Sequence, residues 1–336
     1  MNYPESSAIL EKIKASQKIL LNCHHNPDPD SVGSALAMSR VLRDMGKEVK
    51  ILSPSKVSKN LEFLLEHDEQ IEETDFKNFN YSEWDLFIAN DSSSWSRICG
   101  SHDIPQPGID MTVIDHHKTN QKFGIINLIV PDAPANCELL YYFFQDIGYI
   151  PDTEKDYPDI ATPLLTGIIG DTGAFRFPEA DRGTFAVAHD LMKLTNKNKI
   201  IFNLYQSYEK EHVHLWQAIM QNLRIDDNGF VYSFIDNDVM QENGYPQNAK
   251  TEIADMIFQS ISGTKFGMVG AMSKEGYMSV SFRAREEVDV SVLASDLGGG
   301  GHKWAAACRI DEGSFDKNVE KALLAARDFI KNDQNS

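Results

Sequence analysis

Residues 18–46 read KILLNCHHNPDPDSVGSALAMSRVLRDMG and indicate the fold class of the chain. The first of these residues, Lys18–Asn22, predict a short buried strand, because the run is apolar and too short for a helix. The segment Ser31–Met45 places apolar side chains at helical spacing and stops before Gly46, a residue typical of helix C-termini. A strand that enters a helix through a polar corner predicts one unit of an α/β sheet. Such corners are where α/β sheets bind ligands.

The same alternation continues through the first half of the chain. Longer apolar stretches predict helices at Cys137–Ile147 and Ala161–Ile169. Short apolar runs predict three more buried strands, at Lys47–Leu52, Asp85–Ala89 and Met111–Ile114. Because short strands separated by helices are typical of parallel sheets, we predict a mostly parallel sheet flanked by helices.

The pattern changes after about residue 180. Two helices, Phe185–Leu194 and Ile200–Leu223, are predicted there, and strands return after Gly229. The later predicted elements are strands at Phe230–Ile235, Phe266–Ser273, Met278–Arg283 and Ala305–Ile310 and helices at Val290–Leu297 and Lys317–Lys331. We therefore expect a two-domain α/β protein with its active site in the cleft. The predicted parts are a catalytic domain over residues 1–185, a helical linker over 186–223 and a smaller substrate-binding domain over 224–336.

Composition limits the classes of function. A chain of 336 residues with 42% hydrophobic and 24% charged residues is a globular protein long enough for two domains. Its 32 basic and 50 acidic residues give a net charge of −18, which excludes a broad basic face that coats long nucleic acid. No apolar run approaches the ~20 residues that span a bilayer, and the N-terminus has no signal-peptide core. We expect a cytoplasmic enzyme that does not contact membranes.

Aspartates and histidines follow the predicted elements of the first domain at four places. These places are residues 24–30 (HHNPDPD), Asp91, Asp115-His116-His117 and residues 167–173 (GIIGDTG). Each has an ordinary structural interpretation when taken alone, such as a turn or a helix N-cap loop. Because the carboxyl ends of parallel strands lie at one edge of a sheet, we expect these side chains to meet there.

The loop before the first helix carries two of these carboxylates. Pro27 and Pro29 stiffen the loop, so we expect an extended segment in which Asp28 and Asp30 point in opposite directions. That arrangement suits two adjacent metal ions better than one. The glycines of residues 167–173 would let the backbone approach another part of the structure closely.

Six of the side chains form a candidate ligand set for two divalent cations. They are His24, Asp28, Asp30, Asp91, His116 and Asp171. Carboxylate and imidazole ligands without thiolate favour manganese or a similar ion. One bridging carboxylate would let six ligands hold two ions ~3.5–4 Å apart, an arrangement that activates water and clamps a phosphoryl oxygen. The set predicts hydrolysis of a phosphoester.

In their order and context these motifs resemble the DHH family of phosphoesterases. In the second half, Ser281-Phe282-Arg283 and the run Gly298–Gly301 with His302 and Ala305–Ala307 resemble the DHH-associated C-terminal domain. The resemblance covers nearly the whole chain. In length the chain is similar to the nano-RNase branch, enzymes that degrade very short oligoribonucleotides and dephosphorylate 3′-phosphoadenosine 5′-phosphate (pAp).

The resemblance implies two metal sites that share one carboxylate, Asp91. The ligands of the first site would be His24, Asp28 and Asp91. The ligands of the second would be Asp30, Asp91, His116 and Asp171. Beside them, His117 would contact the scissile phosphate and Asp115 would orient the neighbouring histidines. Asp91, Asp115 and His117 are therefore the candidate catalytic residues.

The resemblance also implies that the second domain holds the rest of the substrate. The residues it assigns to substrate binding, besides His117, are Arg283, Gly299, Gly300, Gly301 and His302. The glycine run would offer backbone N–H groups to an anion. Arg97 lies outside the family motifs, and we expect it to brace the loop after Asp91 rather than contact substrate.

The expected function is manganese-dependent hydrolysis of short oligoribonucleotides to mononucleotides in the 3′-5′ direction, of pAp to AMP, or of both. The alternatives within the same chemistry are a cyclic-dinucleotide or linear-dinucleotide phosphodiesterase and a pyrophosphatase or exopolyphosphatase. A nucleotide sensor without activity is the alternative from another class. The expected partners are two divalent ions and a short RNA or small nucleotide. A homodimer is one alternative for the oligomeric state.

Overall fold

The computed structural model describes residues 2–66, 69–149, 159–246, 248–285 and 288–333. The chain divides into two compact units, Met1–Ser207 and Tyr208–Ser336. Helices lie on both sides of this division, so the predicted linker over residues 186–223 falls partly in each unit.

The first unit is built on a six-stranded parallel sheet in the order β3-β2-β1-β4-β5-β6. Its strands are β1 (Lys18–Asn22), β2 (Glu48–Ser53), β3 (Ile71–Glu73), β4 (Leu86–Asn90), β5 (Asp110–Asp115) and β6 (Ile126–Ile129). The chain runs outward from β1 to β3 and then returns to β4 beside β1. The adjacent carboxyl ends of β1 and β4 therefore form a topological switch point, the place where open α/β sheets bind ligands.

Helices cover both faces of this sheet, which explains why its central strands are apolar throughout. The helices are α1 (Ser6–Ala15), α2 (Pro29–Asp44), α3 (Trp95–Cys99), α4 (Asn136–Asp146), α5 (Ala161–Asp171), α6 (Arg182–Leu191) and α7 (Lys197–Tyr205). Two short 3₁₀ segments occupy Lys59–Leu64 and Tyr81–Glu83. The α2 and α5 helices lie close together because Gly33 lacks a Cβ, which would stand 2.4 Å from the carbonyl oxygen of Pro163.

The second unit contains a mixed sheet in the order β11-β12-β10-β9-β8-β7. Its strands are β7 (Arg224–Asp226), β8 (Phe230–Ile235), β9 (Phe266–Met272), β10 (Met278–Ala284), β11 (Gly300–Gly301) and β12 (Ala305–Ile310). The helices are α8 (Lys210–Gln221), α9 (Asn237–Glu242), α10 (Ala249–Met256), α11 (Val290–Asp296) and α12 (Phe315–Asp333), with a 3₁₀ turn at Phe258–Ser260. One apolar core joins α8 and α10 to β8 and β9, and a second joins α11 and α12 to the opposite face.

The predicted α/β fold class is confirmed, with two corrections to its parts. The single helix predicted over Ile200–Leu223 is wrong: α7 ends at Tyr205 and α8 starts at Lys210, and the division between the units falls in this break. The extended segment predicted up to Asp30 is also wrong, since α2 already begins at Pro29. Proline is favourable in the first turn of a helix, where its missing N–H is not needed. No helix in the described part of the chain is long and apolar enough to cross a membrane.

Candidate metal centre

The centre lies where β1 and β4 end side by side in the first unit. Asn22, the last residue of β1, fixes this junction: its side-chain oxygen accepts from the Asn90 N–H at 2.9 Å, and its side-chain amide donates to the Asn90 carbonyl at 3.1 Å. The loop after β1 and the residue after β4 are thereby held in register. The loop carries His24 and Asp28, and the residue is Asp91.

His24, Asp28 and Asp91 form the first ligand set, with one donor atom from each lying within 4.8 Å of the others. His24 Nε2 stands 3.1 Å from Asp28 Oδ2 and 3.5 Å from Asp91 Oδ2. The other oxygen of Asp28 accepts from the Ser31 N–H at 2.9 Å and caps α2. The N-cap interpretation is therefore correct, and it leaves the second oxygen facing the cluster.

Asp30, His116 and Asp171 form the second set, again within 4.8 Å. His116 Nε2 lies 3.3 Å from Asp171 Oδ2 and 3.9 Å from Asp30 Oδ2. The Asp30 carboxylate is anchored, because it accepts from the backbone N–H groups of Asn136 at 2.6 Å and Cys137 at 2.9 Å, at the start of α4. A helix N-terminus stabilises a carboxylate in this way.

Asp91 connects the two sets. Its Oδ2 stands 3.5 Å from His24 Nε2, and its Oδ1 stands 3.5 Å from His116 Nε2. The side chain is almost completely buried, and the backbone has the left-handed φ of +48°. An L residue other than glycine adopts that conformation at a cost of about 1–2 kcal/mol, so the fold holds Asp91 in place against strain. Its two oxygens have the placement that a bridging carboxylate requires.

The histidine tautomers show that the centre fits cations. His24 Nδ1 donates to the His25 carbonyl at 3.1 Å, and His116 Nδ1 donates to the Ala133 carbonyl at 2.9 Å. Each ring therefore directs its Nε2 toward carboxylate oxygens, and in the neutral form of the ring that nitrogen offers a lone pair to a metal ion. Burial alone would lower the pKa of His116, but the charges of Asp171 and Asp30 raise it above its ordinary value. The donor set of oxygen and imidazole nitrogen suits manganese and similar divalent ions.

The protonation equilibria point in the same direction. Burial, followed by the charges of Asp30 and Asp28, raises the pKa of Asp91 well above its ordinary value, and the same causes raise that of Asp171. Burial, followed by the charge of Arg97, lowers the pKa of His24 and keeps the ring in the neutral form that binds metals. Carboxylates crowded in this way are costly as anions without a compensating cation.

His117 and Asp115 form a hydrogen-bonded pair beside the two sets. His117 Nδ1 lies 2.7 Å from Asp115 Oδ1, and the Asn120 side chain donates to Asp115 Oδ2 at 2.6 Å. Burial alone would raise the pKa of Asp115, but the hydrogen bond and charge of His117 lower it below its ordinary value. Asp115 is thus an anion that orients the His117 ring, as in other carboxylate–histidine pairs.

Sequence reasoning missed several contributors to the centre. Arg97 was expected to brace the loop after Asp91, but its contact with the ligand set was not predicted: its guanidinium lies 3.3 Å from His24 Nε2. Arg97 is the second residue after Trp95, where α3 begins, and no local pattern indicates that the helix turns it toward the β1 loop. Asn22 and Asn120 ordinarily mark strand ends and turns, so their roles were equally hidden.

The predicted substrate residues of the second unit have defined surroundings. Arg283 is buried on β10, and its guanidinium bonds both oxygens of Asp255 on α10 and donates to the Phe282 carbonyl at 2.8 Å. Asp255 was not predicted, because 28 residues separate it from its partner.

The glycine run packs closely against β12. A Cβ on Gly299 would stand 2.1 Å from the Ala307 carbonyl oxygen, and one on Gly301 would stand 2.6 Å from that of Ala305. The N–H groups of Gly299 and His302 already bond backbone carbonyls, as does that of Gly298. The amides of the run that can meet an anion are therefore at most those of Gly300 and Gly301. The prediction that these residues share a cleft with the metal ligands stays a prediction.

A parallel α/β sheet with histidines and aspartates gathered at its switch point defines a metal-dependent phosphoester hydrolase. Comparison with known families agrees. Residues 18–168 match the model of the DHH family, N-terminal domain, and residues 227–332 match that of the DHHA1 domain. The chain therefore contains a DHH N-terminal domain and a DHHA1 domain, and the resemblance seen in the motifs is confirmed.

The relatives have related activities. The chain is 26% identical to the bifunctional oligoribonuclease and PAP phosphatase NrnA of Thermus thermophilus, over 96% of this chain and 93% of that protein. It is also 26% identical to the cyclic-di-AMP phosphodiesterase PdeA of Listeria monocytogenes, over 96% of this chain but only 49% of that protein. An exopolyphosphatase-related protein from Bacteroides fragilis has the same fold, with a TM-score of 0.83 at 21% identity over 97% of both chains.

Proposed function

We propose that the protein hydrolyses short oligoribonucleotides to mononucleotides from the 3′ end and converts pAp to AMP. The observation that carries the proposal is the position of Asp91, whose two oxygens face two separate ligand sets. A relative that matches this chain over 93% of its own length, the NrnA of Thermus thermophilus, is named for both activities.

Two divalent ions, manganese in our proposal, would supply a water of lowered pKa and positive charge for the phosphoryl oxygens. The protein's own residues hold the ions and orient the substrate phosphate. Asp91 fixes the spacing of the two sets, and His24 and His116 offer Nε2 from rings locked by backbone carbonyls. His117, held by Asp115, would donate a hydrogen bond to a phosphoryl oxygen and offset the charge that develops in the transition state.

The charge of the chain supports a short substrate. A net charge of −18 repels a long polyanion, whereas a dinucleotide or pAp carries few phosphates. We propose that the DHHA1 unit binds the part of the substrate that is not hydrolysed, through Arg283, His302 and the glycine run.

A second candidate function is hydrolysis of cyclic or linear dinucleotides. The match to PdeA, over 96% of this chain, is the observation that favours it. The centre would serve either function, because oligoribonucleotides and dinucleotides are both phosphodiesters that the same kind of ligand set would hydrolyse. Hydrolysis of pyrophosphate or polyphosphate, the alternative predicted in the sequence analysis, would not need a pocket that binds a nucleotide base.

A substrate panel tests the proposal. Purified protein with Mn²⁺ is given diribonucleotide, pAp, cyclic di-AMP and pyrophosphate, and product release is followed by chromatography. We expect diribonucleotide and pAp to give the highest kcat/KM. Asp91→Ala should abolish the manganese-dependent activity, and Asp103→Ala, at an exposed site, should keep it. Full activity of Asp91→Ala would overturn the assignment of the centre, and exclusive activity on cyclic di-AMP would select the second candidate.

A further inference from the structure

A partly buried lysine of the second unit, Lys250, has no part in the function described so far. Lys250 lies in the first turn of α10 and reaches across the sheet face to β10. Its Nζ donates to the Ser279 hydroxyl at 2.8 Å and to the Ser279 carbonyl at 3.1 Å. Among the residues that the structure describes, no carboxylate lies within 4.0 Å of this ammonium group, so neutral oxygens are its only close contacts.

The neighbouring charges do not compensate Lys250. Arg283 is close enough to repel it, and the carboxylate of Asp255 is already bonded to the Arg283 guanidinium. Burial, followed by the charge of Arg283, lowers the pKa of Lys250 to about 7. The third titratable neighbour, Cys308 on β12, stays a neutral thiol because burial raises its pKa to about 12. When Lys250 is protonated, the cluster therefore has one positive charge in excess.

Hydroxyl groups surround this excess charge. Ser279, Ser281 and Arg283 alternate along β10, so their side chains share the face that α10 covers. The Ser281 hydroxyl lies 3.4 Å from that of Thr251, the residue after Lys250. Cations and hydroxyls together are the groups that bind phosphate oxygens in proteins.

The same face can be reached from the side of β12. This strand pairs Arg309 with Ser279, Ala307 with Ser281 and Ala305 with Arg283. Ala307 is exposed and Ala305 is partly exposed, and both side chains are small, whereas Arg309 is an exposed cation. The row of polar residues on β10 is therefore covered by α10 on one side and bordered on the other by two alanines and one arginine.

We propose that Lys250, with Ser281 and Arg283 beside it, binds a phosphate group of the substrate that is not hydrolysed. The ligand class is a nucleotide with a second phosphate, either a phosphomonoester as in pAp or the diester of a short RNA. This inference rests on the proposed function and extends it, since it assigns to α10 a substrate contact that the family motifs do not include. The bound phosphate would then supply the negative charge that the Lys250 ammonium lacks.

The test measures binding apart from hydrolysis. The inactive variant Asp91→Asn, with and without Lys250→Met, is titrated with pAp by calorimetry. We expect Lys250→Met to weaken pAp binding about 10- to 100-fold, the range for loss of a hydrogen bond to a charged group. Lys321→Met serves as the matched control, because it removes one positive charge from α12, where Lys321 pairs with the exposed Glu312. The control should bind pAp as the parent does.

The variant Lys250→Arg and a measurement of proton uptake on pAp binding distinguish phosphate binding by Lys250 from a merely structural role. Phosphate bound at Lys250 would raise the lysine's pKa again, so binding at pH 8 should take up a proton, seen as a dependence of the heat on the buffer. Lys250→Arg should bind pAp without that uptake, because arginine is already protonated. Equal affinity of the parent and Lys250→Met, or no binding of pAp by the parent, would overturn the inference. Binding without hydrolysis by the wild type would contradict the proposed function and leave the site intact.

Discussion

A methyl group at position 167 should damage the metal centre without touching a ligand chemically. Gly167 lies inside α5, where alanine is ordinarily better than glycine by about 1 kcal/mol. Here a Cβ would stand 2.3 Å from Cys137 Sγ and 2.6 Å from Asp30 Oδ1. Both distances are shorter than contacts between such atoms allow, and Asp30 is held by the first amides of α4. Either α5 must move away from α2 and α4, or Asp30 must move.

The magnitude follows from these contacts. Overpacking of a core costs about 1–3 kcal/mol, so Gly167→Ala should lower the free energy of unfolding, opposite in sign to the helix propensity. A displacement of about 1 Å at a reacting centre can cost about 10²-fold in rate, and we expect a loss of that order in kcat/KM. Urea unfolding and manganese-dependent hydrolysis of a dinucleotide measure the two effects.

The controls use the same substitution elsewhere. Gly108→Ala adds a methyl group with no heavy atom within 4 Å, so its stability and activity should match the wild type. Adding Cys137→Ala to Gly167→Ala removes the shorter of the two contacts and should restore part of the stability, but less of the activity, since the contact with Asp30 persists. Wild-type stability and activity of Gly167→Ala would refute the close packing on which the centre is built.

Three further predictions concern other parts of the molecule. His117→Ala should lower kcat about 10²- to 10³-fold, as when one transition-state donor is removed, with little change in manganese affinity by calorimetry; an equal loss of metal binding would make His117 a ligand instead. Arg40→Met should destabilise the fold by about 3–5 kcal/mol in urea unfolding. The cause is that Glu69, whose side chain is only 9% exposed, loses the guanidinium that it now contacts at 2.6 Å. Replacing both residues by methionine should recover much of the lost stability, and no recovery would refute the pairing of Arg40 with Glu69. Burial alone would raise the pKa of Asp226, but the hydrogen bonds from Asn228 lower it below its ordinary value. The carboxylate therefore contributes stability above the unfolded pKa of about 3.9, and this contribution is lost as pH falls through the folded pKa. Asp226→Asn should flatten the acid side of the curve of unfolding free energy against pH, and an unchanged acid slope would argue against this assignment.

Much of the first unit followed from its sequence because its signals are local. The apolar run Lys18–Asn22 and the helix ending before Gly46 appear in the structure within one or two residues. The glycines of residues 167–173 were predicted to permit close approach, and Gly170, inside α5, packs against Pro29, with a Cβ position 2.6 Å from its ring. Such features depend on the spacing of neighbouring residues, which a sequence displays directly.

The features that escaped prediction depend on contacts between distant segments. Arg283 meets Asp255, and Lys250 meets Ser279, only because α10 packs on β10. The short edge strands β3 and β6 have too few residues to show a pattern. Tertiary packing, rather than local propensity, decides such pairs and short strands.

Manganese stoichiometry and electron paramagnetic resonance together show whether Asp91 joins two metal sites. The wild type should bind two Mn²⁺ per chain, and ions ~3.5–4 Å apart through a shared carboxylate should give a spin-coupled spectrum. Asp91→Asn should lose the coupling and at least one ion, whereas Asp103→Asn should lose neither. One uncoupled ion in the wild type, or two coupled ions in Asp91→Asn, would contradict the account.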